Sequence, residues 1–508
     1  MVDIGAKIDE IVMMIDRGQY FTINRARQYG KTTTLSLLAK ALPEEYTCIS
    51  LSFEGVGETM FKDPKSFCQR FLLHINKTLA RKDKRFADEW LDKSVTDFDL
   101  LGFHLDNLCK DSKIVLIIDE VDKTSNNSVF LHFLGMLRSK YLVRDEDAAY
   151  TFHSVILAGV YDIRNIKLKL IDEGIFQQHS DVGRLYNSPW NIAADFDVDM
   201  SFCPAEIAGM LSDYEADYKT GMDTGVIAAT IHDHTNGYPF LVSRICQHID
   251  EKLDKDWSPD GVLRAVKLLL NEHNVLFDDM FKNLENNEKL YDFLYEILII
   301  GEEKAFNMND PLVQQASMYG YINKKNDNGK VVISNSIFET SISDYFISKD
   351  SNAQPGGKRV NGILQRDIIV NNEFDMELCI RKFAEHYSEI YSEADIPFLE
   401  RHGRLLFLSY LKPLINGQGF YHIESQFTDV RRMDIVVDFG CNQFIIELKL
   451  WKGEVALDAA HQQLLGYMES KNADAGYLVV FDFRKDTNKA RNMSWLNFGD
   501  KRIFEVIL

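Results

Sequence analysis

The chain is poor in several features that would place it outside the cell or in a membrane. Its seven cysteines (Cys48, Cys68, Cys109, Cys203, Cys246, Cys379 and Cys441) are scattered, odd in number and form no C-x-x-C. This spacing offers neither a disulfide frame nor a zinc site and suits a reducing cytoplasm. No apolar run approaches the ~20 residues of a membrane span. The opening MVDIGAKIDEIVMMID is acidic and amphipathic and lacks the basic start and apolar core of a secretion signal. Positive charge is also outweighed, with 57 Lys and Arg against 77 Asp and Glu. The formal net charge of −20 gives no general attraction to nucleic acid or anionic lipid, so a DNA partner requires a local basic patch or metal ions that offset carboxylates. There is no internal repeat and no low-complexity tract.

What remains is a long chain with ample material for cores. Its 508 residues imply two to four domains, and 45% hydrophobic with 12% aromatic content argues against extensive disorder. In the first half, apolar runs at Tyr20–Asn24, Tyr46–Phe53, Ile114–Asp119 and Ser154–Val160 read as strands. Helical patterns lie between them at Thr32–Ala41, Pro64–Ala80, Asp97–Cys109 and Ser128–Tyr141. This alternation predicts a parallel α/β sheet. Residues from Cys203 to Leu284 read as helical throughout. YINKKNDNGKVVIS (Tyr321–Ser334) reads as a hairpin about an Asn-Gly turn, followed by the helical NSIFETSISDYF. Helices with one such hairpin suggest a winged helix. Ser348–Gly362, with Pro355-Gly356-Gly357, reads as a linker to a second α/β unit. The expected boundaries are a core at 1–200, a helical lid at 201–284, a winged-helix-like module at 285–348, a linker at 349–364 and a C-terminal domain at 365–508.

FTINRARQYGKTTTL (Phe21–Leu35) passes from an apolar strand through a loop into Gly-Lys-Thr and a helix. Gly30 lets the backbone approach phosphate, Lys31 is placed to reach the β- and γ-phosphates, and the Thr32 hydroxyl is placed to hold Mg²⁺. Arg27, Gln28 and Thr33 complete the candidate loop. Arg25 occupies the position where the pattern G-x-x-x-x-G-K-[ST] has its first glycine. With Arg27 it flanks the loop, where both are candidates to supplement Lys31. About 85 residues downstream, KIVLIIDEVDK ends an apolar strand on Asp119, a candidate Mg²⁺ ligand, and Glu120, a candidate to polarise the attacking water. The alternative is a core strand whose acidic residues merely leave the sheet.

RARQYGKTTTL resembles the P-loop of the AAA-like ATPases of the STAND group, which often lack the first glycine. ILAGVYDIRN (Ile156–Asn165) is similar to their sensor strand, SPWNIA (Ser188–Ala193) to their Ser-Pro-aromatic-Asn segment, and NGYPFLVSRIC (Asn236–Cys246) to their lid motif. The resemblance implies ATP as ligand, Asp162 or Arg164 as γ-phosphate sensor, and Gly237, Tyr238 and Pro239 as a cap. Arg184 is a candidate arginine finger or an ordinary surface arginine.

The C-terminal RRMDIVVDFGCNQFIIELKLW has two apolar strands about Gly440-Cys441. With those two residues as the loop, Phe439 pairs with Asn442, and counting outward sets Asp434 opposite Glu447. Opposed side chains lie about 5 Å apart at Cβ, which two like charges tolerate if a cation joins them. Period-2 alternation adds Lys449 to that face. Two carboxylates for Mg²⁺ (or Mn²⁺) and a lysine to orient water fit phosphodiester hydrolysis. A surface Glu447–Lys449 pair is the alternative. Asp434, Glu447-x-Lys449, and Gln463 with Tyr467 on a following helix resemble the PD-(D/E)XK nuclease superfamily, with Glu400 as an additional acidic contributor. His402, Arg431-Arg432 and the patch Arg484, Lys485, Lys489 and Arg491 are either DNA or metal contacts or ordinary surface residues.

The expected fold is therefore α/β. It comprises a P-loop NTPase parallel sheet with a helical lid and a winged-helix-like module, plus a C-terminal PD-(D/E)XK nuclease-like domain. The expected function is a cytoplasmic ATPase coupled to a Mg²⁺-dependent DNA nuclease. By family analogy this suits defence against mobile DNA. The alternative is an ATP-driven switch or scaffold whose nuclease fold only binds DNA or a partner. No membrane contact is expected, and homo-oligomerisation is left open.

Overall fold

The computed structural model describes residues 2–56, 58–82, 95–123, 127–144, 150–160, 190–300, 302–324, 329–353, 368–370, 373–390, 400–415, 419–422, 435–440, 442–482 and 492–508. Contacts divide the chain into two units. One comprises residues 1–232, 236–244 and 308–321, and the other comprises 233–235, 245–307 and 322–508.

The first unit is built on four parallel strands: β1 (Tyr20–Asn24), β2 (Tyr46–Ser52), β3 (Lys113–Asp119) and β4 (Ser154–Gly159), in the order β1-β4-β3-β2. The strands read from the sequence agree with these to within a residue at each end. β3 shows why they were legible, because both of its faces are covered. Ile114, Leu116 and Ile118 enter one core, and Val115 and Ile117 enter the other. A strand buried on both sides reads as a continuous apolar run. Helices α1 (Gly5–Asp16) and α2 (Lys31–Ala41) supply the core on the Val115 face. Helices α3 (Pro64–Lys82), α4 (Phe98–Cys109) and α5 (Ser128–Val143) supply the other. Trp190 is fully buried there, and its indole N–H donates to Thr22 Oγ1 over 3.1 Å. The helices that follow are α6 (Pro204–Tyr218), α7 (Thr224–Thr235) and α8 (Pro239–Lys252).

The second unit holds α9 (Pro259–Leu270), α10 (Val275–Asn286), α11 (Glu288–Tyr295) and a π-helical turn at Glu296–Ile300; α12 (Pro311–Met318) belongs to the first. The expected hairpin forms between β5 (Ile322–Lys324) and β6 (Val331–Ile333). It leads into α13 (Ser336–Ala353), which is five residues longer than the boundary at 348. The polar residues after Ser348 can continue a helix, and Pro355 is the first that cannot. The helix thus runs into the stretch read as linker, the rest of which lies outside the described residues.

The second sheet has the order β13-β14-β12-β11-β10-β9, with β9 (Gly419–His422), β10 (Ile435–Phe439), β11 (Asn442–Leu450), β12 (Ala475–Phe481), β13 (Met493–Phe498) and β14 (Lys501–Ile507). A short ribbon, β7 (Ile369–Val370) with β8 (Glu373–Phe374), precedes it. Helices α14 (Met376–Ile390) and α15 (Glu400–Ile415) pack on the face that carries Phe481 and Phe504. Helix α16 (Glu454–Ser470) covers the opposite face, which carries Ile445, Leu478, Val480 and Ile503.

Helix α13 has polar residues buried on it (Thr340, Ser341 and Ser343) because neighbours surround it. It packs against α9, α10 and β6, and also against α15 and β9. Asp344 fastens the latter side: its carboxylate accepts the hydroxyl of buried Tyr421 at 2.8 Å and lies 3.1 Å from Lys412 Nζ. Burial, reinforced by Asp344, holds the Tyr421 phenol well above its ordinary range. Arg404 on α15 is also buried and donates to the Ile299 carbonyl of the π-helical turn at 3.0 Å.

Removing the Asp344 carboxylate leaves a buried phenol short of its acceptor, a loss of ~1–3 kcal/mol. Asp344→Ala is therefore expected to lower the denaturant midpoint, with Tyr421→Phe in the same background adding little. Equal stability of Asp344→Ala and wild type would contradict this role.

Candidate functional site

The candidate nucleotide site forms where the parallel strands end. β1 delivers the loop Arg25–Gly30, and β3 delivers Asp119 and Glu120. Gly30 caps α2 with φ +78°, a left-handed conformation that favours glycine. Lys31 is buried and donates to the carbonyls of Arg25 and Ala26, each at 2.9 Å. The lysine thus folds the loop around its own ammonium. Burial lowers its pKa, and Asp122, Glu120 and Asp119 oppose that shift. The Thr32 hydroxyl donates to Asp119 Oδ2 at 2.7 Å, so the two motifs read from separate segments meet. Thr33 and Arg27 are exposed, and Gln28 adopts φ +56°.

Glu120 follows Asp119 with φ +57°, a conformation that non-glycine residues adopt at a cost of ~1–3 kcal/mol. Its N–H donates to Asp119 Oδ1 at 2.9 Å. Its carboxyl pKa is raised by burial, then by Asp119 and Asp122. Asp122, which sequence reasoning missed, accepts the Val160 N–H at 2.6 Å. It needs Gly159 beside it, since a Cβ there would lie 2.5 Å from its Oδ1. The readable signal was a third acidic residue in DEVD.

Arg25 is held by the protein itself. Its guanidinium donates to the carbonyls of Asn24 and Val198, at 2.9 and 2.8 Å, and lies over the Phe196 ring. It braces the base of the loop against the segment after β4. The missing glycine is thus occupied by a side chain with a structural task.

The lid motif reaches the loop. Tyr238 is buried, donates its hydroxyl to the Arg27 carbonyl at 2.5 Å and meets Tyr29 edge-on at 4.7 Å between ring centroids. Pro239 Cβ lies 3.9 Å from where a Cβ on Gly30 would stand. Gly237, at φ +70°, runs against the Phe202 backbone.

Among the described residues no group of three His, Cys, Asp or Glu stands ready to hold a metal ion. A single hydroxyl–carboxylate pair such as Thr32–Asp119 nevertheless fits Mg²⁺, which commonly binds through one or two carboxylates and the phosphates of its substrate. Asp162, Arg164 and Arg184 lie outside the described residues, as do Ser188 and Pro189 of the Ser-Pro-aromatic-Asn segment.

In the second sheet the hairpin register is the one expected, from Phe439↔Asn442 to Ile435↔Ile446. Asp434 is the next residue outward and lies outside the described residues, as do Arg431, Arg432, Arg484, Lys485, Lys489 and Arg491. Nothing is described of the side chains of Glu400 and His402. Glu447 is fully buried, and its Oε1 lies 2.7 Å from Lys449 Nζ, so the pair is not a surface pair. Gln463 and buried Tyr467 are carried by α16, on the same side of the sheet.

Two outcomes are expected of the nucleotide site. Gly237→Ala brings a Cβ to 2.1 Å from the Phe202 carbonyl oxygen. Backbone strain alone costs ~1–3 kcal/mol, so a clear fall in melting temperature is expected; an unchanged melt would contradict the clash. Glu120 has a raised folded-state pKa, so its favourable contribution is present below the ordinary carboxylate range and is lost as pH rises through the folded value. Glu120→Gln should therefore melt higher than wild type near pH 8 without nucleotide, and the gap should close as pH falls towards about 4. A gap that widened on acidification would refute this.

Residues 7–344 match the AAA-like domain family. No curated protein matches the chain. Among solved structures, the chain is similar to a Walker-type ATPase of Pyrococcus abyssi at 12% identity, covering 68% of this chain and 96% of that one with a TM-score of 0.47. It is also similar to the ORC2 protein of Aeropyrum pernix. The ADPNP–ADP complexes give 12% identity, coverage of 68% and 93% and a TM-score of 0.35. The ADP form gives 10% identity, the same coverages and a TM-score of 0.33. With the family spanning the P-loop, the Asp119 strand and the lid, the chain belongs to the AAA-like domain family.

Proposed function

We propose that the protein binds and hydrolyses ATP and couples that cycle to a Mg²⁺-dependent nuclease at its C-terminal end. The observation that carries the ATPase half is the Thr32–Asp119 hydrogen bond, which joins a phosphate-binding loop to an acidic strand end. In this reading Lys31 leaves the loop carbonyls for the β- and γ-phosphates, while Gly30 and the first turn of α2 present N–H groups to them. Thr32 and Asp119 would hold Mg²⁺, which would supply charge neutralisation at the transferred phosphoryl group. Glu120, held next to Asp119 with a raised pKa, orients the attacking water. Tyr238 and Pro239 cap the loop, with Arg27, Gln28 and Thr33 along its rim.

The nuclease half rests on Glu447, a fully buried carboxylate paired with Lys449 on a sheet face that an adjacent helix covers. Burying a carboxylate is costly even when a lysine pairs with it, so one there without a use is disfavoured. In this reading Asp434 and Glu447 hold Mg²⁺ or Mn²⁺, Lys449 orients water and Gln463 contacts the substrate. The segments 1–200, 201–284, 285–348 and 365–508 then act as ATPase core, lid, winged-helix-like module and PD-(D/E)XK nuclease-like domain, with the linker proper beginning after Ala353. DNA is the proposed substrate. The net charge of −20 favours a second reading, a nucleotide-driven switch whose C-terminal domain binds a partner without cutting.

ATP turnover should fall on the order of 100-fold or more in Lys31→Ala; equal rates would remove the ATPase. Plasmid nicking with Mg²⁺ or Mn²⁺ should occur in wild type and vanish in Glu447→Ala. If both proteins are inert while Lys31-dependent ATP turnover persists, the switch reading replaces the nuclease.

A further inference from the structure

Glu447 is not the only carboxylate buried on its side of the C-terminal sheet. Pairing runs Glu447↔Leu478 between β11 and β12, then Leu478↔Glu505 between β12 and β14. Residues paired in this way point to the same face. Glu505 therefore lies in one row with Glu447, two strands away, or about 10 Å at ordinary strand spacing. It is buried, and so is its partner: His461 Nε2 on α16 lies 2.7 Å from Glu505 Oε2.

Beside this pair, an apolar cluster fills much of the contact between α16 and the sheet. Leu464 and Met468 press on β12 where Gly476 leaves room, since a Cβ there would stand 2.7 Å from Met468 Sδ. Apolar burial is non-directional and leaves a helix free to adjust its roll. A short hydrogen bond to a charged group is directional. Buried polar pairs are seldom the most stabilising choice, and their best-attested use is to select one arrangement.

Helical geometry shows what that arrangement controls. At about 100° per residue, Gln463 stands roughly 200° and Tyr467 roughly 240° around the axis from His461. His461 thus marks one flank of the buried stripe of α16, and Gln463 and Tyr467 mark the other. Fixing the first flank on β14 fixes the direction of the second. We propose that the His461–Glu505 hydrogen bond is a positioning pair that sets the roll of α16 and so aims Gln463 and Tyr467 at the site of Glu447 and Lys449. The proposal deepens the nuclease reading and rests on it for its consequence in catalysis.

The test uses the full chain and two measurements. Amide exchange across Glu454–Ser470 should quicken in His461→Ala and return towards wild type in His461→Gln, which keeps a donor, while β10 and β11 remain protected. DNA cleavage should lose ~10–100-fold in kcat in His461→Ala with KM little changed, as when the supporting partner of a site residue is removed. It should partly recover in His461→Gln. Should His461→Ala melt too low to be read, Glu505→Leu, which keeps most of the volume but has no acceptor, carries the same comparison. Unchanged exchange in α16, or kcat at the wild-type level, would overturn the proposal. So would equal losses in the Ala and Gln variants that merely follow their melting temperatures. If the wild type cuts no DNA, the nuclease reading fails, and exchange still decides whether the pair holds the helix.

Discussion

Parallel pairing is the constraint on which the first unit depends. With β1 bonded to β4, β4 to β3 and β3 to β2 in one direction, all four strands end at the same edge. Polar residues that leave a doubly buried sheet have nowhere else to emerge. The phosphate loop after β1, the Asp119-Glu120 pair after β3 and the Gly159–Asp122 contact after β4 meet there for that reason. The site arises from the same pairing that makes the core, and Thr32–Asp119 is the bond that records it.

Both candidate sites keep charge where water is scarce, and they stabilise it differently. Lys31 is buried and held by two backbone carbonyls, an arrangement that phosphate oxygens can replace without leaving the ammonium bare. Glu447 is buried against a side chain, Lys449, that remains partly exposed. The first suits a ligand that comes and goes, because the lysine has a resting partner in the loop itself. The second suits a carboxylate held in place, since its partner lies two residues along the same strand.

How much of this was legible in the sequence varied with the physics involved. The strands could be read because a doubly buried run such as Lys113–Asp119 has little compositional ambiguity. The hairpin register followed from a two-residue loop, and Phe439↔Asn442 confirms the count. Functions that depend on backbone approach were not legible. Gly237 looked like part of a cap, and its contact with the Phe202 backbone appears only in three dimensions. Arg25 seemed placed for phosphate because sequence gives position without direction, and a guanidinium can reach Val198 as easily as a ligand. The end of α13 at Ala353 was not legible because polar residues before a proline read as linker, although only the proline forbids a helix.

His461 escaped notice for a related reason. On a helix whose buried stripe holds Ala460, Leu464, Tyr467 and Met468, one histidine looks like an ordinary edge residue. Its partner lies 44 residues away on a strand that only the sheet order brings within reach. Sequence periodicity finds residues that share a face of one element. It does not find a bond whose two ends belong to different periodicities, one helical and one of period two. In this chain such bonds carry much of the specificity: Thr32–Asp119, Tyr421–Asp344 and His461–Glu505 each join a helix to a strand or its end. Apolar packing brings these elements together, and the bonds between unlike elements select which residues come to face one another.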